Sequence, residues 1–246
     1  MVWLMKKIMI MKVGSTFPEL VARRGDFEDW ILAGMGVERE RVRVVDVSAG
    51  ERLPDYSQVS GVVITGSHSM VTQHLDWSEY AAAWLRGAAA QQLPTLGICY
   101  GHQLLAYSLA GTVGDNPHGR EYGTVPVHMQ AAAQEDLLFQ NLPDVVNAHV
   151  CHRQSALTLP AGARLLASSA LEPHQAFVIG NRIWGVQFHP EFDAEVVAEY
   201  VRRDRELLVK EGKNPERILD GVAETPFAGR LLAKFHDLVN AVNGAG

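Results

Sequence analysis

The stretch LPTLGICYGHQLLAYSLAG, Leu93 to Gly111, passes from an apolar run into a helically spaced one with no loop between them. At the join stands Gly97-Ile98-Cys99-Tyr100-Gly101, so a cysteine sits between two glycines where a strand turns into a helix. A sharp turn there needs small neighbours, because a Cβ at 97 or 101 would crowd both the turn and anything approaching it. Such a turn exposes the sulfur of Cys99 and points backbone N–H groups into the same space. The positive end of the following helix favours a thiolate, and the same N–H groups suit an oxyanion on an attacked carbonyl. Taken alone, these five residues fit both a nucleophile and a buried structural cysteine.

Outward from this join, strands are expected at Lys7–Val13, Arg41–Val47, Gly61–Thr65 and Thr95–Cys99, with helices at Pro18–Met35, Trp77–Gln92 and His102–Ala110. Strands separated by helices of this length indicate βαβ units and a parallel sheet with right-handed connections. GVVIT is apolar throughout, as when helices cover both faces of a sheet. In an open α/β sheet, ligands bind beyond the carboxyl ends of the strands, which is where Cys99 stands. After Gly111 the pattern changes. GTVGDNPHGREYGTVPVHM has turn residues around short β segments, and ARLLASSALEPHQAFVIGNRIWGVQF reads as successive strands with a turn at Gly180-Asn181. Helical spacing returns at Ala194–Lys210 and at roughly Pro226–Val242, where Leu231, Leu232, Phe235 and Leu238 share a face expected to pack on the sheet. No linker or internal repeat interrupts the chain. The expectation is one α/β domain over 1–246, with a core of about 7–192 and a helical extension of about 193–246.

Composition narrows the function classes. The 246 residues are 47% hydrophobic and 20% charged, an ordinary globular balance with enough apolar material for a large core. A formal charge of −6 and the lack of a basic patch speak against nucleic acid as a partner. Cys99 and Cys151 are too few for a disulfide framework and fit a reducing compartment. The start, MVWLMKKIMIMKVGS, has too short an apolar run after its lysines for a signal peptide and has no small-residue cleavage pattern. No run approaches the ~18 apolar residues of a membrane span. A cytoplasmic protein that does not bind membranes is expected.

A thiol nucleophile needs a base, and the base works better with an orienting partner. Among ten histidines, His189 stands out in IWGVQFHPEF, where an apolar strand ends at the histidine and Glu191 follows two residues later. On an extended backbone, residues i and i+2 point the same way, so Glu191 can lie behind the imidazole and stabilise its cation. Pro190 keeps His189 extended. Both Cys99 and His189 fall at strand ends of one sheet, where they can meet as a Cys-His-Glu triad. An α/β-hydrolase would also show G-x-C-x-G, but its acid precedes the histidine on a separate loop. A metal site at His149, Cys151 and His152 is disfavoured, because alternate strand residues face opposite ways.

GICYGHQ followed about ninety residues later by GVQFHPEF resembles the class I, triad-type glutamine amidotransferases, in particular the glutaminase domain of GMP synthases. The resemblance covers residues 7 to 192. It implies a flavodoxin-like, mostly parallel sheet with helices on both faces, and hydrolysis of the glutamine side-chain amide without metal or cofactor. Cys99 would attack to give a γ-glutamyl thioester and ammonia, with His189 as base and then acid, and Glu191 orienting it. ITGSHS resembles the family's glycine-rich loop, which implies an oxyanion hole from Gly66 with the N–H of Ser67 or Tyr100. The matched C-x-G-H-Q run implies that Gln103 contacts the amino-acid end of the substrate. The chain departs from the family where Gly-Gly-Pro gives way to Thr65-Gly66-Ser67 and Ser-His-Gly-Asp to CHRQS, Cys151 to Ser155. Cys151 is expected to be a buried strand cysteine. Three functions stay open: a glutaminase feeding ammonia to a separate synthetase subunit, a free-standing hydrolase of γ-glutamyl peptides or amines, or a regulatory protein that kept the fold. No P-loop is present to supply a synthetase activity.

Overall fold

The computed structural model describes residues 6–244. The first half runs β1 (Lys7–Lys12), α1 (Pro18–Arg24), α2 (Phe27–Met35), β2 (Val42–Asp46), β3 (Val59–Ile64), α3 (Asp76–Ala90), β4 (Thr95–Ile98) and α4 (Tyr100–Ser108). The middle is strand-rich: β5 (Thr112–Asp115), β6 (Glu121–Met129), β7 (Val145–His152), β8 (Gln154–Thr158), β9 (Ala163–Ser168), β10 (Ala176–Ile179) and β11 (Ile183–Val186). Helices α5 (Ala194–Arg203), α6 (Arg205–Lys210), α7 (Pro215–Asp220) and α8 (Pro226–Gly244) follow.

Among the described residues the main sheet has nine strands in the order β2-β1-β3-β4-β11-β10-β9-β6-β7, and β5 and β8 form a separate pair. The α/β class expected from the alternation of strands and helices stands. The sheet itself is mixed. β2, β1, β3, β4 and β11 run parallel, and β10, β9, β6 and β7 extend it by antiparallel pairings. The last parallel strand, β11, does not come from a crossover helix. It arrives through the antiparallel meander β9-β10-β11 and docks beside β4, with Ile98 opposite Val186.

Helices cover both faces, and the strands divide their side chains between them. Ile8, Ile10 and Val63 join one core with Ile31 and Leu32 of α2 and Leu232 and Phe235 of α8. Met9, Met11, Val62 and Ile64 join the other with Leu85 of α3 and Leu104 of α4. Alternation along a strand produces this split, so an apolar run such as Val59–Ile64 is buried at every residue. Leu231, Leu232 and Phe235 are buried as their spacing predicts, and α8 closes one face of the sheet.

Two expected helices are each broken in two. Pro18–Met35 splits at Gly25, whose φ of 79° leaves the helical region, and at Asp26, which caps α2. The Asp26 carboxylate accepts from the N–H groups of Phe27 and Thr16 and pairs with Lys12 at 2.8 Å, so the break is held by tertiary bonds. Ala194–Lys210 splits at Asp204, whose carboxylate accepts from the Tyr122 hydroxyl.

Phe235 is fully buried and meets Trp184 edge-on at 6.1 Å. We expect Phe235→Ala to lower the unfolding free energy by about 3–5 kcal/mol in urea titrations. A loss below ~1 kcal/mol would show that α8 is not part of the core.

Candidate active site

Three neighbouring parallel strands deliver the candidate residues to one edge of the sheet. β3 leads into Thr65-Gly66-Ser67, β4 into Cys99-Tyr100-Gly101, and β11 into the segment carrying His189 and Glu191. Because β3, β4 and β11 lie side by side and run the same way, their carboxyl ends are adjacent. The clefts beyond such ends are where α/β sheets hold ligands.

Cys99 has φ 50° and ψ −98°, a conformation costly for a residue with a Cβ. The turn is held by the Cys99 N–H donating to the Val186 carbonyl at 2.8 Å and by the close seating of α4. A Cβ on Gly101 would lie 2.7 Å from the Ile64 carbonyl oxygen, so only glycine lets the helix start this near β3. The sulfur lies 3.9 Å from the Cys151 carbonyl oxygen and lines a pocket of about 310 Å³.

His189 donates its backbone N–H to the His149 carbonyl at 2.8 Å, and its Nδ1 lies 2.7 Å from Oε1 of Glu191. The strand leading to it ends at Val186, and Pro190 and Glu191 form a turn. The carboxylate therefore reaches the imidazole through this turn and not along an extended i, i+2 backbone. The ring stacks on Phe192 with centroids 4.0 Å apart. Burial opposes the imidazolium, but the Glu191 carboxylate and a hydrogen bond with the Cys99 sulfur outweigh it, and the pKa is held well above 6.5. His149 behaves in the opposite way. Burial and the neighbouring His189 charge lower its pKa to about 4, so it adds no second positive charge.

The remaining sequence candidates are arranged around this group. Gly66 lies directly against the imidazole, since a Cβ there would be 3.2 Å from Cε1 of His189. Its loop is latched to the residue after β1 by the Val13 N–H donating to Oγ1 of Thr65 at 3.1 Å. Ser67 lines the pocket. The Tyr100 hydroxyl meets the Ser78 hydroxyl at 2.7 Å, and the Tyr100 backbone N–H belongs to the first turn of α4, directly after Cys99. Gln103 lines the pocket, but its amide nitrogen is committed to the Gln154 carbonyl at 2.8 Å and to Oε1 of Gln187 at 3.0 Å. His149, Cys151 and His152 turn to separate neighbours, and no group of three His, Cys, Asp or Glu fit to hold a metal occurs among the described residues.

The pocket wall also includes residues that no sequence motif marks, among them Phe17, Arg120, Tyr122, Tyr200 and Asp204, and His68 from the ITGSHS loop. Tyr200 and Asp204 lie one helical turn apart, which is a signal that they share a direction. Nothing local says that this direction is the site.

An imidazole whose pKa is raised in the folded state adds stability that is complete below its ordinary value of 6.5 and is lost as pH rises through the raised one. We therefore expect Glu191→Gln to unfold at lower urea than the native chain near pH 6. The gap should narrow as pH is raised above neutrality. A gap that widened with pH would contradict the His189–Glu191 ion pair.

Comparison with known proteins places the fold and the family. The family model "Glutamine amidotransferase class-I" matches residues 25–204. The chain is 33% identical over 194 residues to the GMP synthase [glutamine-hydrolyzing] of Porphyromonas gingivalis, a match covering 76% of this chain and 33% of the relative. It is 28% identical over 175 residues to gamma-glutamyl peptidase 4 of Arabidopsis thaliana, covering 70% and 69%. The chain thus spans about a third of the GMP synthases it matches. A glutamine amidotransferase from Thermotoga maritima superposes with a TM-score of 0.75 at 21% identity over 96% of this chain and 99% of that one, which bears out the flavodoxin-like fold. Among the described residues no helix is long and apolar enough to cross a membrane. The chain belongs to the class I glutamine amidotransferase family.

Proposed function

We propose that Cys99, His189 and Glu191 form a catalytic triad that hydrolyses the γ-amide of glutamine and releases ammonia. The observation that carries this reading is the meeting of a strained, pocket-facing Cys99 with an imidazole backed by a buried carboxylate. Transfer of the Cys99 thiol proton produces the imidazolium of His189 that Glu191 stabilises, and the sulfur attacks the γ-carbonyl. The C–N bond breaks as a C–S bond forms, and His189 passes the proton to the departing nitrogen. Water, deprotonated by His189, then attacks the thioester and releases glutamate and the thiol. The N–H groups of Ser67 and Tyr100, beside Gly66, hold the developing oxyanion. Gln103 keeps its free carbonyl oxygen for the substrate's ammonium, since its nitrogen is already used.

The ammonia acceptor belongs to a separate synthetase subunit, in line with the glutamine-hydrolysing GMP synthases among the relatives. The chain acts as one domain in the reducing cytoplasm, where two free cysteines persist. A second reading, hydrolysis of γ-glutamyl peptides or amines by the same triad, is favoured by a pocket of about 310 Å³ with an aromatic wall and by likeness to a gamma-glutamyl peptidase.

The test is glutamate release from glutamine and from a set of γ-glutamyl compounds. Cys99→Ala and His189→Ala should each lower kcat/KM by at least about 10³-fold, because members of a triad act as a unit, while Glu191→Gln should cost less. Wild-type rates in either of the first two variants would exclude the mechanism.

A further inference from the structure

The lining around Cys99 is of two unlike kinds. One is formed by the amides of Gln103 and Gln154. The other is aromatic and continues from the histidine. His189 stacks on Phe192, Phe192 meets Tyr200 at 5.2 Å, and Tyr200 meets Phe17 at 4.8 Å. Phe17 stacks on His68 at 4.5 Å, and Phe17, His68 and Tyr200 all line the pocket. The leaving nitrogen must take its proton from His189, so the leaving group lies toward this wall. Ammonia makes no use of aromatic faces, whereas an apolar side chain buries area on them.

Arg120 stands at the far side of the same wall. Its side chain is 13% exposed, and its Nε donates to Glu211 at 3.1 Å. Its two terminal nitrogens donate to no group among the described residues. A guanidinium held by one edge, with the other free in a pocket, is a ready partner for a carboxylate. The acids nearby are already engaged. Asp204 accepts from the Tyr122 hydroxyl, and Glu121 accepts from Ser169 and Gln175 at 2.6 Å each. Arg120 and Tyr122 also line an adjoining hollow of about 530 Å³ that carries Lys213 and Arg217, neither of them ion-paired among the described residues. Arg120, Lys213 and Arg217 thus line the space beyond the aromatic wall, together with Glu121.

We propose that this part of the pocket is a leaving-group site for an amino acid with a bulky apolar side chain and a free carboxylate, held by Arg120. The substrates it selects are γ-glutamyl dipeptides. The inference rests on the triad and on the second, γ-glutamyl-peptide reading above, and specifies its leaving group. Attack by Cys99 breaks the γ-glutamyl C–N bond, His189 protonates the nitrogen, and the free amino acid departs past Phe17 and Tyr200.

The experiment compares kcat/KM of the full chain for γ-glutamyl-phenylalanine, γ-glutamyl-phenylalaninamide, γ-glutamyl-glycine and glutamine. The acid should exceed its carboxamide by about 10- to 100-fold, the range of a charge-assisted hydrogen bond converted to a rate ratio. γ-Glutamyl-phenylalanine should also exceed γ-glutamyl-glycine. In Arg120→Gln the acid-to-amide ratio should fall to near one, with Arg120→Lys intermediate. Equal rates for acid and amide in the native chain would overturn the site without recourse to any variant. So would a ratio unchanged in Arg120→Gln, or hydrolysis of glutamine with neither dipeptide cleaved, and each of these outcomes leaves the triad standing. Failure to cleave any of the four would overturn the triad reading as well.

Discussion

The hydrogen bond from the Cys99 amide to the Val186 carbonyl, 2.8 Å long, ties together the two strand ends on which the site depends. It extends the parallel β4·β11 pairing by one step, so that the segment with the sulfur and the segment with the imidazole leave the sheet side by side. It also helps hold Cys99 at a positive φ that its Cβ disfavours. The rest of the strain is contained by packing. α4 begins so near β3 that a methyl group at 101 would strike the Ile64 carbonyl, and this seating leaves the first-turn N–H groups beside the sulfur. Sheet register, helix position and a buried thiol at the pocket wall are thus one arrangement.

The electrostatics follow from burial. A charged imidazole in this interior is costly unless an opposite charge accompanies it, and Glu191 provides that charge at 2.7 Å. The second buried histidine nearby, His149, is kept neutral by the same low-dielectric surroundings and by the charge on His189. Around the imidazole the charge is therefore that of one ion pair, with the Cys99 sulfur on one side and an aromatic floor beneath the ring.

Breaks in the helices shape the pocket as much as the helices do. At Gly25-Asp26 the chain turns so that Asp26 holds the Thr16 N–H, and Thr16 in turn meets the Tyr200 hydroxyl at 2.7 Å. At Asp204 the helix after the sheet breaks where its carboxylate engages Tyr122. The first junction lies behind Tyr200, and the second puts Asp204 itself in the pocket wall. Helical spacing runs through each of them with little sign of a stop, because an aspartate at a break resembles one on a solvated face until its partner is known. Arg120 was hidden for a related reason: charged residues in turns have no periodicity, and the direction of a guanidinium is set by neighbours far away in the chain.

Much of the molecule was nonetheless legible in order. The strand-to-helix join at Cys99, the alternation of strands and helices, and the apolar face of α8 each follow from local spacing and the small size of glycine. The same holds for the presence of Glu191 near His189, since a two-residue separation keeps them close on almost any backbone. Tertiary structure alone decided that β11, delivered by an antiparallel meander, lies beside β4 and runs parallel to it. Strand pairing is non-local: the same apolar residues fit several neighbours, and only the packed sheet selects one. The meeting of Cys99 with His189, and the aromatic and basic wall beyond them, are consequences of that selection.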